Sequence, residues 1–273
     1  MNKNLGTNLV DESGKAQRNI QSVEVGGRLL LALGRSLGPM TLKDLAARAD
    51  LPPSRAHPYL VSYGRLGLVQ QDAASGLYSL GPAALQLGLT ALAQCDPVRA
   101  AEPVAAALAA QTGQAVAVAV WGNFGPTVVR MVDARQPLHV AMRAGSVMSL
   151  FGTATGRAFA AVMPSQQIAA VLAGVPIGGQ DAAVRQQDWD AERMAAKDDY
   201  RRHGCTRAVG RPMPGVNAFS APVFNHDGEP VLVLTLLGHQ DHVPSAWSSG
   251  MALAVRTSAA EVSSRLGWPQ PKA

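Results

Sequence analysis

The stretch from Thr41 to Leu80, TLKDLAARADLPPSRAHPYLVSYGRLGLVQQDAASGLYSL, decides the fold. Leu42, Leu45, Ala46 and Ala49 recur at helical spacing, and Thr41 stands before them as an N-cap candidate. Asp50-Leu51-Pro52 makes a turn, because proline fits a first helical turn but not an interior. In the second helix Ala56, Leu60 and Tyr63 share an inward face. Ser54, Pro58, Val61 and Arg65 point away, with Arg55, His57 and Ser62 on the flanks. Two short strands follow, Leu68 to Gln71 and Leu77 to Leu80, joined by Asp72-Ala73-Ala74-Ser75-Gly76. This is the pattern of a helix-turn-helix with a wing, whose second helix can enter the DNA major groove. The same spacing also suits a small structural helical hairpin.

Outward from this stretch, residues 1 to 19 form a polar lead without periodicity, expected to be flexible. Ser22 can cap a helix from Val23 to Ser36, whose inward face is Val25, Leu29, Leu30 and Leu33. That helix start can also offer backbone amides to a phosphate. Beyond the wing, Gly81-Pro82 opens an apolar helix in which Leu85, Leu89 and Leu92 keep one line and Leu87 adds to it. A connecting helix this apolar is expected to pack on another subunit, the simpler alternative being its own C-terminal domain. A dimer would present two recognition helices to paired half-sites.

Asp96-Pro97 marks a boundary, and a helix to Thr112 turns Val104 and Leu108 inward. Strand-like runs are Ala115 to Trp121, Thr127 to Val132, Leu138 to Met142, Asn217 to Phe224 and Pro230 to Leu237. Helical runs are Phe151 to Met163, Ser165 to Ala173, Trp189 to His203 and about Ala246 to Leu266. The expected class is α+β with an antiparallel sheet. The organisation is a lead (1–19), a winged helix-turn-helix (20–81), a linker helix (82–96), a second domain (97–267) and a tail (268–273).

Composition narrows the function. Of 273 residues 47% are hydrophobic and 16% charged, which suits globular domains with real cores. The net charge of +5 agrees with a polyanionic partner without requiring one. Every apolar run is interrupted before the length of a membrane span, and the N-terminus lacks the apolar core of a secretory signal, so the expected location is the cytoplasm with no membrane partner. Cys95 and Cys205 form no metal-ligand spacing, so no metal or other cofactor is expected. No GxSxG stands after a strand to form an elbow, the match at Gly34 to Gly38 ending a helical run, and there is no HExxH, P-loop or GxGxxG after a strand. Cys205 with His203 two residues away is the nearest approach to a nucleophile and base, and it reads better as a helix end running into a strand.

For DNA, Arg55 is the best base-reading candidate, since a guanidinium grips guanine O6 and N7 bidentately. Ser54 and His57 are secondary. Thr41, Lys43 and Ser75, at a helix start and the wing tip, are placed for phosphate. Each could instead be an ordinary solvated residue.

The segment VEVGGRLLLALGRSLGPMTLKDLAARADLPPSRAHPYLVSYGRLGLVQQDAASGLYSLGPAALQLG resembles the winged helix-turn-helix of the IclR-type bacterial transcriptional regulators. LAAQTGQAVAVAVW, LFGTATGRAFAAVMP and PGVNAFSAPVFNHDGEPVLVLTLLG resemble their C-terminal effector domain, in the same order, and the likeness spans roughly residues 20 to 266. It implies a GAF-like C-terminal fold with an effector pocket between sheet and helices. Carried over by motif, Thr153, Ala154, Thr155 and Gly156, with Ala218, Thr235 and Leu237 on two strands, would line that pocket, and Asn217 would add an amide if it points inward. Ala218 makes the pocket more apolar than in relatives with acidic or thiol-bearing residues there. Pro58 departs from the family, which carries a basic or polar residue at that position, and costs about 3 kcal/mol inside a helix unless the helix starts late or bends.

The reading is a ligand-responsive regulator: a homodimer or dimer of dimers that binds double-stranded operator DNA and whose C-terminal domain takes a small organic acid with an apolar or aromatic body. Two alternatives stay open, a constitutive DNA-binding protein whose C-terminal domain serves only oligomerisation, and an enzyme with an appended DNA-binding domain.

Overall fold

Val25, Leu29 and Leu33 from one helix meet Leu45, Ala46, Ala49, Ala56 and Leu60 from the next two in a single buried cluster, closed by Val69 and Tyr78. The computed structural model that reveals this packing describes residues 19–36, 38–134, 142–174 and 186–269. The chain divides into two units, Met1–Gln94 and Cys95–Ala273.

In the first unit, α1 (Gln21–Gly34), α2 (Leu42–Arg48) and α3 (Pro53–Arg65) are followed by the antiparallel pair β1 (Val69–Gln71) and β2 (Tyr78–Leu80). Helix α1 starts earlier than Ser22 would allow as a cap. Ile20 occupies that position and gives no side-chain hydrogen bond, so Ser22 lies within the first turn. Between α2 and α3 the backbone of Asp50 is left-handed (φ 56°), a conformation that aspartate tolerates because its short side chain can bond locally. Pro52 is the N-cap of α3 and Pro53 its first residue. Helix α3 runs on through Pro58, which leaves the Ser54 carbonyl without its helical donor. The Ser62 hydroxyl donates to the Pro58 carbonyl (3.0 Å) one turn later. Helix α4 (Pro82–Ala93) has no buried residue: Leu85, Leu87, Leu89 and Leu92 are all exposed.

The second unit opens with α5 (Pro97–Thr112), capped by the Asp96 carboxylate, which accepts from the Val98 and Arg99 amides. A five-stranded antiparallel sheet follows, built from β3 (Ala115–Gly122), β4 (Gly125–Val132), β5 (Thr206–Val209), β6 (Val216–Phe224) and β7 (Pro230–His239) in the order β4-β3-β7-β6-β5. Helices α6 (Ala154–Val162), α7 (Ser165–Gly174) and α8 (Gln186–His203) intervene between β4 and β5, and α9 (Gly250–Arg265) closes the chain. The result is the α+β class with an antiparallel sheet. Helices α5 and α9 cover one face, over Val116, Val118, Phe219, Leu232, Leu234 and Leu236. Helix α6 covers the other, over β5, β6 and β7.

The β5 strand appears where a helix end was expected to run into a strand, and α6 begins three residues later than expected because the Thr153 hydroxyl caps it. The expected strand from Leu138 falls outside the described residues except for Met142, which belongs to no strand. The lead before Asn19 and the tail beyond Pro269 also lie outside them.

Candidate functional site

Helix α3 presents Ser54, Arg55, His57, Pro58, Val61, Ser62 and Arg65 to solvent, while Ala56 and Leu60 anchor it. Among the described residues Arg55 has no carboxylate within ion-pair distance, so its five donors are available to a base edge or phosphate. Lys43 on α2 is likewise exposed.

The two hydroxyls expected to meet phosphate are differently placed. Thr41 Oγ1 accepts from the Asp44 amide (3.1 Å) and gives its one proton to Asp44 Oδ2 (2.8 Å). Ser75 Oγ gives its proton to Asp72 Oδ1 (2.7 Å), which also accepts the Ser75 amide (2.7 Å). A phosphate oxygen only accepts, so in this conformation neither hydroxyl has a proton for it. The Ser75 hydroxyl and amide also hold the Asp72 carboxyl below its ordinary range. An ionised aspartate at the wing tip repels phosphate, and the hairpin from Val69 to Leu80 carries no Lys or Arg to offset it. The exposed cations on α2 and α3 are Lys43, Arg48, Arg55 and Arg65. Both constraints were visible in the sequence, as the Thr-x-x-Asp of a helix cap and the Asp-x-x-Ser of a tight turn.

In the second unit a cavity of about 400 Å³ opens between the sheet and α6. Six of the seven residues named from motif line it: Thr153, Ala154, Thr155, Ala218, Thr235 and Leu237. The register explains the strand members, since Ala218 pairs with Leu237 and Ser220 with Thr235, so alternation sends all four to one face. Gly156 is the exception. A Cβ there would lie 2.0 Å from the Ser149 carbonyl oxygen and 2.6 Å from Leu150 Cα, so this glycine lets α6 press against that backbone and does not line the cavity. Asn217 points to the opposite face, donating to the Val243 carbonyl (2.8 Å) and accepting from the Gly210 amide (3.2 Å).

A chain of buried hydroxyls runs from the cavity wall inward: Thr155 Oγ1 lies 2.8 Å from Thr235 Oγ1, which lies 2.7 Å from Ser220 Oγ behind the wall. Thr153 is committed to α6, accepting from the Gly156 amide (3.0 Å) and donating to the Ser149 carbonyl (2.7 Å). Sequence reasoning missed the rest of the lining, the segments bearing Met142, Ser146, Val147 and Met148 and the loop with Arg211, Pro212, Met213 and Val216. Arg211 is exposed at this lining, and among the described residues no carboxylate pairs with it.

Fold and site together define a helix-turn-helix protein whose second unit encloses a cavity of small-molecule size. The chain belongs to the IclR family of bacterial transcriptional regulators: residues 22–73 match the IclR helix-turn-helix domain and residues 89–264 the bacterial transcriptional regulator IclR C-terminal domain. It is 30% identical to the glycerol operon regulatory protein of Streptomyces coelicolor over 257 residues, covering 92% of this chain and 98% of that one. It is 22% identical to the transcriptional repressor IclR of Escherichia coli over 225 residues, 82% and 81% of the two chains. Among solved structures, HmgR of Pseudomonas aeruginosa superposes with a TM-score of 0.82 at 32% identity, covering 92% of this chain and 100% of that one.

Proposed function

We propose that this regulator is ligand-responsive: α3 reads operator DNA, and the cavity under α6 takes a small organic acid with an apolar or aromatic body. The observation that carries the reading is the character of the cavity. Methionine, valine, alanine, proline and leucine side chains form most of its wall, while Ser146, Thr153, Thr155, Thr235 and Arg211 supply the polar groups, of which Thr153 is committed to the α6 cap. The first turn of α6 also faces it, and a helix N-terminus favours negative charge. One carboxylate on an apolar body satisfies that arrangement, whereas a sugar phosphate would leave most of its hydroxyls unpaired. The sheet under its α6 cover supports a GAF-like reading of the second unit. The exposed leucines of α4 support a homodimer or dimer of dimers, and the absence of a membrane-length helix among the described residues agrees with work on DNA in the cytoplasm.

A thermal-shift screen of aliphatic and aromatic acids tests the cavity, since a ligand at about 100 times its dissociation constant stabilises by roughly 2.7 kcal/mol. A hit must also change the DNA affinity of the full chain. Acids that stabilise the protein without altering DNA binding would favour the constitutive alternative. On the DNA side, Arg55→Ala should cost about 1–3 kcal/mol at the operator and relax one base position, and an unchanged selected sequence would remove Arg55 from base reading.

A further inference from the structure

A second recess, about 220 Å³, lies beside the main cavity and is lined by Phe151, Arg157, Glu192, Asp199, Arg207, Arg211 and Trp247 among others. Its wall is mostly polar, and Arg211 contributes to both spaces. Three guanidiniums face two carboxylates here, an excess of one positive charge. The carboxylates are already assigned: Arg157 bridges Glu192 (2.7 Å) and Asp199 (3.0 Å), with its own side chain only 14% exposed. Among the described residues, Arg207 and Arg211 have no acidic partner.

Arg207 is nevertheless held in place. Its Nη1 donates to the Ser245 carbonyl, and its guanidinium lies 4.2 Å from the centre of the Trp247 ring. His203 also stacks on Trp247, with ring centroids 4.2 Å apart and planes within 10°. A guanidinium fixed this way loses little freedom when it grips an anion, which is the arrangement that oxyanion recognition needs. We propose that the recess is a second anion site, taking a small oxyanion, inorganic phosphate or a short-chain carboxylate, between Arg207 and Arg211. The main cavity, with its apolar wall, keeps the acid with an apolar body. The recess stands on its own residues and rests on that reading only through the shared Arg211.

The test is calorimetric titration of the full chain with inorganic phosphate and, separately, succinate, at ionic strength held constant with chloride. Saturable binding of at least one of the two is expected, and Arg207→Gln should weaken it by about tenfold or more, because a charge-assisted bond is lost. Glu192→Gln, at a side chain 36% exposed, keeps the fold testable if Arg207→Gln does not, and should tighten binding by releasing part of the Arg157 charge. No saturation by either anion, equal binding in Arg207→Gln, or no tightening in Glu192→Gln overturns the inference. Ala218→Trp, which fills only the main cavity, should leave anion binding unchanged. If it abolishes that binding, the anion sits in the main cavity and the recess is no site. If instead it abolishes neither anion binding nor the response to an acid found by the screen, the main-cavity reading fails and the recess stands.

Discussion

On the face of the sheet under α5 and α9, the strands present Val116, Val118, Phe219, Val223, Leu232, Leu234 and Leu236, all fully buried. On the face under α6, the same strands present Ala117, Ala119, Ala218, Ser220 and Thr235 at most of the intervening positions, with Val233 and Leu237 the larger exceptions, and a cavity of about 400 Å³ remains. The strand backbone is shared, so the strands' part in the difference lies in side-chain volume. Large aliphatic and aromatic residues fill one side to the density of a crystal. Thr235 reaches α6 through its hydroxyl, 2.8 Å from Thr155 Oγ1, but the small side chains around it leave space beside that contact, with hydroxyls on its wall. One face is packed throughout, and the other keeps a cavity of small-molecule size beside its own smaller core.

The sharpest way to break this contrast is to hollow the packed face. Phe219→Ala removes a fully buried ring that meets Trp247 edge-on, with ring centroids 6.1 Å apart. It should cost about 3–5 kcal/mol, read from chemical denaturation of the full chain. A cost below about 1 kcal/mol would mean that the face relaxes freely and is no rigid support.

Filling the hollow face should do the reverse. Ala218→Trp places an indole where the lining now has a methyl. The unliganded protein should unfold within about 1 kcal/mol of the original and still bind DNA, while the roughly 2.7 kcal/mol that a bound acid adds at 100 times its dissociation constant should vanish. A normal ligand response in this variant would place the ligand elsewhere.

The contrast between the faces was legible in the sequence where period-2 alternation holds. NAFSAPV and TLLG assign Ala218, Thr235 and Leu237 to one side and Asn217 and Phe219 to the other by alternation alone. The inward stripe of the helix-turn-helix, Ala56 and Leu60 included, was legible for the same reason at helical period. What escaped were residues placed by loops. Arg211, Pro212 and Met213 reach the cavity through the connection between β5 and β6, and Ser146 to Met148 through the segment after β4, where no periodicity announces a direction. Gly156 was misread because motif carry-over marks a position without saying which side its missing Cβ faces. Thr41 and Ser75 were assigned to phosphate by position, although the aspartates three residues away already claimed their protons.

A smaller effect comes from the hydroxyl chain that makes the hollow face polar. Thr235→Val keeps the shape and removes the middle oxygen, leaving the Thr155 and Ser220 hydroxyls without the partner each has at 2.8 and 2.7 Å. The expected cost is about 1–3 kcal/mol, because a buried polar group left unpaired bears its full desolvation penalty. Water entering the cavity could reach Thr155 more readily than Ser220, which is fully buried. The double variant Thr235→Val with Ser220→Ala should therefore recover part of the loss. If the double variant is less stable than the single one, the hydroxyls do not act as a chain.

The smallest effect separates the faces by pH. Cys205 belongs to the packed cluster, and burial pushes its thiol up from the ordinary 9.0 to about 11, with Asp199 adding to the rise and Arg256 and Arg207 opposing it. A thiol that stays protonated longer in the fold than in the unfolded chain binds more protons when folded, so its contribution is complete below pH 9.0 and is lost as pH climbs through about 11. The melting temperature should therefore fall across that window. Burial also raises the Tyr200 hydroxyl, so part of the fall will persist in any cysteine variant. Cys205→Ala should lower the melting temperature at neutral pH, because it leaves a small void, and should make the alkaline fall shallower, because the titrating group has gone. The difference between the two slopes, taken from melts at several pH values between 9 and 11, isolates the thiol. Parallel slopes would mean that solvent reaches Cys205 in the folded state, and the packed face would then be less closed than its side chains make it.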